Sequence, residues 1–252
     1  MNKQLQWFPG HMQKTLDQLF DLKKNINLII VVLDARAPKS SFIDIFGDFL
    51  KDKKVIICLN KRDLVSKEKL KKWVNFYKKK FTDAITISLK EEKNLAKINL
   101  FKILKKYQKE NFYTKVIVIG IPNVGKSNLL NVLIEKNSAK VQNIAGVTKN
   151  LGWYQKDQFL FLDTPGVLVP KFENDLIGAK IVLIGGIKIN LVPIEEVIRF
   201  MFEIFKEKNI LLPFTSFEDL QKKIKIEKEQ TKTYLNLIND YQKGKYGKFI
   251  LD

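Results

Sequence analysis

Cysteine is nearly missing from this 252-residue chain: Cys58 stands alone, so no disulfide can form within it. A reduced, cytoplasmic compartment is the expectation. Arginine is almost as scarce, with Arg36, Arg62 and Arg199 the only three among 45 basic residues. No apolar stretch is long and charge-free enough to span a bilayer. The nearest, 181–194, is interrupted by Lys188, Asn190 and Pro193. The first residues lack the apolar stretch of a signal peptide and the Arg-rich pattern of a transit peptide. Membrane insertion is therefore not expected.

Positive charge and apolar content are plentiful. The net charge is +18 and 45% of residues are hydrophobic, which fits a globular protein. Clustered Lys neutralises phosphates and releases counterions, so a polyanionic partner is one reading. Lys, Ile and Asn are also what an AT-rich genome produces, so charge by itself does not decide.

Short apolar runs at 28–33, 55–59, 84–87, 116–119 and 159–162 predict buried strands of a parallel sheet. A further strand is expected at 152–155, pairing with the run at 159. Lys-rich helical stretches at 67–80 and 95–109 lie between strands, giving an α/β layered domain. After about residue 175 the pattern becomes helical, with Val197, Ile198, Met201, Phe202 and Phe205 at helical spacing. Thr215 with Glu218 reads as a capping box, and Tyr234, Leu237, Ile238 and Tyr241 mark a last helix. Residues 1–174 are thus expected to form an α/β domain with an N-terminal helical segment, and 175–252 a small all-helical one.

Gly120-Ile121-Pro122-Asn123-Val124-Gly125-Lys126-Ser127 has the spacing of a phosphate-binding loop. Its glycines permit a tight turn whose N–H groups approach phosphate oxygens. Lys126 should reach the β- and γ-phosphates and Ser127 should bind Mg²⁺. Asn123, Val124, Gly125, Lys126, Ser127 and Asn128 are the candidate nucleotide contacts here, with the following helix expected at 128–135. Asn60-Lys61-Arg62-Asp63 comes earlier, just after a strand. Asp63 is suited to accept from guanine N1–H and N2–H₂, a donor pair adenine lacks. The Lys61 stem would cover the base, and Asn60 belongs to the same loop. Ser88-Leu89-Lys90 follows the next strand, where Ser88 and Leu89 are placed to pack against the guanine. Asp163-Thr164-Pro165-Gly166 is expected to put Asp163 in position to hold Mg²⁺ through water, and the Gly166 N–H toward the γ-phosphate. Thr148 in Gly146-Val147-Thr148 is the candidate switch ligand of Mg²⁺. Taken singly, the shorter motifs also read as surface turns.

In chain order, base recognition precedes phosphate binding, the reverse of an ordinary small GTPase. That order resembles the circularly permuted GTPases. Gln6-Trp7-Phe8-Pro9-Gly10-His11-Met12 and Asp34-Ala35-Arg36-Ala37-Pro38 resemble signatures of the ribosome biogenesis GTPase A family, the YlqF/RbgA group. The resemblance covers nearly the whole chain. It implies a circularly permuted P-loop GTPase domain followed by a helical RNA-binding domain. It also implies a GTPase acting in late maturation of the large ribosomal subunit and stimulated by it. Two departures are small: Leu89 stands where Ala is usual, and Ala145 where Pro is common.

The position that holds a water-orienting Gln in ordinary GTPases is Val167 here, followed by Leu168 and Val169. An apolar side chain cannot orient water. The resemblance assigns that support to His11, the only histidine; a helix-start His without a chemical role is the alternative. Lys126 and Thr148 complete the catalytic candidates. The resemblance also suggests K⁺ at Asn123, against an Asn simply tolerated in a loop. The expected partners are GTP, GDP and the large-subunit precursor with its rRNA and ribosomal proteins, the chain acting as a monomer. Lys222, Lys223, Lys225, Lys243, Lys245 and Lys248 are candidate phosphate contacts, and Tyr241 and Tyr246 candidate base-stacking groups, although Tyr241 fits a core stripe better. Trp7 and Phe8 read as anchors of the N-terminal segment. A switch of another class with a protein partner, or a non-catalytic RNA-binding module, stays open at this point.

Overall fold

A computed structural model describes residues 11–43, 45–135, 140–142, 152–166, 168, 172–227 and 230–252. Strands β1 (Leu28–Asp34), β2 (Lys54–Asn60), β3 (Asp83–Thr86), β4 (Thr114–Ile119), β5 (Lys140–Gln142), β6 (Trp153–Lys156) and β7 (Phe159–Asp163) form one sheet. Its order is β3-β2-β1-β4-β7-β6-β5. The first five in that order run parallel, with Leu28 opposite both Lys54 and Val116. β6 and β5 extend one edge antiparallel. Every residue of β1 is buried. Such a strand is covered on both faces, so its sequence reads as a continuous aliphatic run without alternation.

The helices are α1 (His11–Leu22), α2 (Ile45–Leu50), α3 (Lys67–Lys80), α4 (Lys93–Lys105), α5 (Lys126–Ile134), α6 (Asp175–Leu183), α7 (Ile194–Glu207), α8 (Phe217–Glu227) and α9 (Gln230–Gln242). α3 buries Leu70 and Tyr77 and gathers Lys78, Lys79 and Lys80 in its last turn, where cations complement the helix dipole. α4 stops at Lys105, short of the expected 109, because Lys106 and Tyr107 bond three residues back and tighten the end. Lys109 N–H then donates to Thr114 Oγ1 at 2.8 Å, drawing the chain into β4. α5 begins two residues before its expected start, directly after the left-handed Gly125.

α6 to α9 pack on one another. Their buried side chains, including Ile181, Ile198, Phe205 and Ile238, belong to one apolar cluster continuous with the sheet. The capping box of α8 falls one residue later than the sequence suggested. Ser216 Oγ accepts from Asp219 N–H at 3.2 Å, and Asp219 Oδ2 accepts from Thr215 N–H at 3.1 Å. Ser216 and Asp219 therefore take the roles read into Thr215 and Glu218. Tyr241 is buried against Phe205 and Phe249, so it cannot stack on a base. Tyr246 is half-buried with its ring edge-to-face on Phe205 at 5.7 Å, which withdraws it from that role too. The six candidate lysines 222, 223, 225, 243, 245 and 248 are all exposed. Among the described residues, no helix is long and apolar enough to cross a membrane.

Candidate functional site

The parallel strands deliver their motifs to one edge, the carboxyl ends of β1, β2, β3, β4 and β7, where open α/β sheets place ligands. β2 ends on Asn60, β7 ends on Asp163, Ser88 follows β3 and Gly120 follows β4. Sequence-distant loops are thereby brought side by side.

Asn60 stitches them together. Its buried amide Nδ2 donates to Val124 O at 2.7 Å, and its Oδ1 accepts from Leu89 N–H at 3.3 Å. One side chain thus fixes the 120–127 loop against its own loop and the one at Ser88–Leu89. Gly125 has to be glycine, since φ is 105° and a Cβ would lie 2.4 Å from that same Asn60 nitrogen. Lys61 takes a left-handed conformation, φ 63°, which turns the chain so that Asp63 faces β3's end. There Ser88 Oγ donates to Asp63 Oδ1 at 2.6 Å. Arg62 points elsewhere, pairing with Glu92.

On the phosphate side, Pro122, Asn123, Lys126, Ser127, Tyr154, Asp163 and Gly166 line an open cleft of about 500 Å³. Gly166 approaches so closely that a Cβ would meet Pro122 Cα at 2.7 Å. Lys126 is buried, and its Nζ donates to Ile121 O at 3.0 Å. Burial pulls its ammonium down to about 8, with nearby Asp163 opposing the change. Phosphate oxygens beside it would favour the charged form further. Thr164 is turned inward, its Oγ1 donating to Val118 O at 2.6 Å. Leu168, next to the site's apolar substitution, is fully buried.

Asn123 also takes φ 61° and its Nδ2 donates to Gly185 O at 2.7 Å. The phosphate loop is therefore bonded to the turn that follows α6. Three motif features lie outside the described residues: Thr148, Val167 and the stretch 1–10. Of His11 only the backbone, which opens α1, is described.

Sequence reasoning did not see what Asp34 and Arg36 do. Asp34 ends β1 fully buried, and Arg36 grips it through Nε at 2.9 Å and Nη2 at 2.8 Å. Burial alone would raise the Asp34 carboxyl, but Arg36 and Lys61 beside it outweigh that and hold it at about 2. The signal was present as an Asp-x-Arg pair at a strand end, quoted only for its resemblance. Gly152 and Tyr154, which also line the cleft, had no signal beyond a strand pattern.

A sequence family described as 50S ribosome-binding GTPase matches residues 115–240, and one described as RsgA GTPase matches residues 17–173. The probable ribosome biogenesis GTPase A of Mycoplasma genitalium is 37% identical over 97% of this chain and 95% of its own. The Bacillus cereus ribosome biogenesis GTPase A is 34% identical over 81% of this chain and 74% of its own. The chain belongs to the ribosome biogenesis GTPase A family. The solved structure of GNP-bound YlqF from T. maritima agrees at a TM-score of 0.71, with 27% identity over 95% of this chain and 97% of that one. The circularly permuted G domain and GTP hydrolysis follow from membership of the ribosome biogenesis GTPase A family.

That GTPase family generally uses Mg²⁺, and the cleft suits such an ion. Asp163 Oδ1 is buried without a hydrogen-bond partner, while Ser127 lines the same cleft. Among the described residues no group of three or more His, Cys, Asp or Glu forms a cage. Few protein ligands beside phosphate oxygens is the usual arrangement for Mg²⁺.

Proposed function

We propose that this GTPase is an assembly factor that binds the large ribosomal subunit precursor late in its maturation, in the cytoplasm. Subunit docking stimulates hydrolysis, and loss of the γ-phosphate releases the factor. The observation that carries this reading is the direct bond between the phosphate loop and the helical segment, Asn123 Nδ2 to Gly185 O. A change at the phosphates is thereby felt by residues 175–252, which carry exposed lysines 222, 225, 243 and 248 suited to rRNA phosphates. The curated relatives named for ribosome biogenesis support the same reading.

In this reading Asp63 accepts from the guanine edge, the Lys61 stem covers the base, and Ser88 with Leu89 closes the far side. Asn60 supports that pocket. The backbone from Asn123 to Asn128 cradles the phosphates, and Lys126 and the Gly166 N–H meet the β- and γ-oxygens. Ser127, Asp163 and Thr148 would hold Mg²⁺, which neutralises charge on the phosphate oxygens when bound. The absence of Gln at Val167 leaves water orientation to His11, brought to the site by the subunit. Asn123 would offer Oδ1 to K⁺ beside the phosphates while its Nδ2 stays on Gly185 O, and that cation would assist charge stabilisation.

The test is GTP turnover with and without purified large subunits, each in K⁺ and in Na⁺. Stimulation by the subunit and by K⁺ is expected. Turnover indifferent to the subunit rejects the assembly-factor reading, and equal rates in K⁺ and Na⁺ remove the K⁺ assignment. His11→Ala should sharply lower subunit-stimulated turnover while leaving GTP affinity nearly intact; full turnover would clear His11 of the role.

A further inference from the structure

Lys61, which the guanine reading places over the base, is not a free lysine. Its Nζ lies 2.8 Å from Asp34 Oδ2, although its side chain keeps 25% of its exposure. Asp34 comes from a neighbouring strand, and the pairing β1 with β2 sets Asp34 directly opposite Asn60. The lysine one residue further on is thereby brought within reach of the carboxylate.

That carboxylate is itself immobilised. Its Oδ1 accepts from Arg36 N–H at 3.0 Å and Arg36 Nε at 2.9 Å, and its Oδ2 accepts from Arg36 Nη2 at 2.8 Å. Arg36 is held in turn by the helical segment, donating from Nη2 to Ile184 O at 3.0 Å. Its guanidinium lies 5.5 Å from the centre of the buried Tyr241 ring. The following strand of contacts closes the clamp: Leu251 N–H donates to Arg36 O at 2.7 Å. Arg36 engages both oxygens, and Lys61 adds a second contact to Oδ2. One anion is shared by two cations, one facing the helices and one facing the base side.

We propose that Asp34 is a positioning residue of the guanine site, pinning the Lys61 ammonium so that its four-carbon stem lies ready for the base. This rests on the assignment of Asn60-Lys61-Arg62-Asp63 to guanine. A free lysine stem loses rotamer freedom when it is ordered over a ligand; a pinned one has lost it on folding already, so binding is tighter. The clamp sits on the base side, so GDP and GTP benefit alike. Because Arg36 is anchored on Ile184 O, the same carboxylate ties base affinity to seating of the helical segment.

The experiment is GDP affinity of the full chain in a double-mutant cycle of Asp34→Asn and Lys61→Met. Each single substitution should weaken GDP and GTP equally, by up to about tenfold, the cost of ordering one long side chain on binding. The double variant should be no weaker than either single. Losses that multiply, to about a hundredfold, overturn the proposal, as does an Asp34→Asn variant that binds like the parent. A general structural defect would not give this non-additivity. Should Asp34→Asn fail to melt cooperatively, Lys61→Met decides: methionine keeps the apolar stem without the ammonium, and parental GDP affinity would overturn the pin. Asp63→Asn separates the underlying assignment. Its amide can donate to the C2 carbonyl of xanthine, so preference should move from GDP to xanthosine diphosphate. No such move rejects the guanine reading itself, whatever the cycle gives.

Discussion

Gly125 sits at φ 105°, and Asn60 occupies the space where any Cβ would go. Gly125→Ala therefore meets both backbone strain and a collision with the side chain that joins three loops. It should destabilise the fold by more than ~1 kcal/mol and weaken GDP binding, measured together by thermal melting with and without nucleotide. Asp34 offers a pH test at the same scale. Its folded value, about 2, lies below the unfolded carboxylate value of 3.8, so ionised Asp34 stabilises the native state. That contribution is complete above the unfolded value and is lost as pH falls through the folded one. The stability gap between the parent and Asp34→Asn should be constant at neutral pH and shrink between about pH 4 and 2, followed by denaturant melts. The glycine requirement was legible, because phosphate loops need backbone freedom. The carboxylate's double duty was not, since nothing in Asp34-Ala35-Arg36 announces that Lys61 will arrive within reach.

The strands were the most legible elements: aliphatic runs bounded by polar residues can do little except fill the middle of a sheet. Helix ends were less so, because several residues near each end compete to cap. At α8, Thr215, Ser216, Glu218 and Asp219 all offered oxygen atoms, and only the backbone path selected Ser216 as the cap, with Asp219 Oδ2 reaching back to accept from Thr215 N–H and Oγ1. Ser216→Ala should cost about 1 kcal/mol of stability. Thr215→Ala should change it by less than ~0.5 kcal/mol. Equal losses in chemical denaturation would return the cap to Thr215. α6 carries its own clear cap, with Asn174 Oδ1 accepting from Ile177 N–H at 2.9 Å. That cap fixes the start of the helix whose far end reaches the phosphate loop.

At the scale of the molecule, the helical segment is fastened to the sheet by polar bonds as well as by the shared apolar core. Asp252 is central to this. Its carboxylate accepts from Lys39 N–H at 2.7 Å, Ser40 N–H at 3.0 Å and Ser40 Oγ at 2.5 Å, and pairs with Lys180 Nζ at 3.1 Å. Asp252→Ala strands those donors and should cost about 2 kcal/mol, read from urea melts of the full chain. It should also loosen Leu251 from Arg36, raising hydrogen exchange at both. The lysines at 222, 225, 243 and 248 should give subunit binding a steep dependence on salt; a flat one in sedimentation at rising KCl argues against phosphate contacts. The helical nature of residues after 175 was visible in their spacing. Their attachment through Ile184, Gly185 and Asp252 was not, because the partners lie 62 to more than 200 residues away.

The sequence by itself determined which chemical groups exist and in what order: Asn60-Lys61-Arg62-Asp63, then Gly120 to Ser127 with the spacing of a phosphate loop, then Asp163-Thr164-Pro165-Gly166, with no Gln to follow it. Those assignments rest on local spacing, and local spacing is carried by consecutive residues. Tertiary structure decided how the groups depend on each other. Parallel pairing of β1 with β2 placed Asp34 beside Lys61, and packing of α6 placed Gly185 beside Asn123. Tyr241, which already fitted a core stripe, is buried against α7, and Tyr246 lays its half-buried ring on Phe205 of the same helix. Such choices are made by burial and register between distant segments, and no window along the chain contains them.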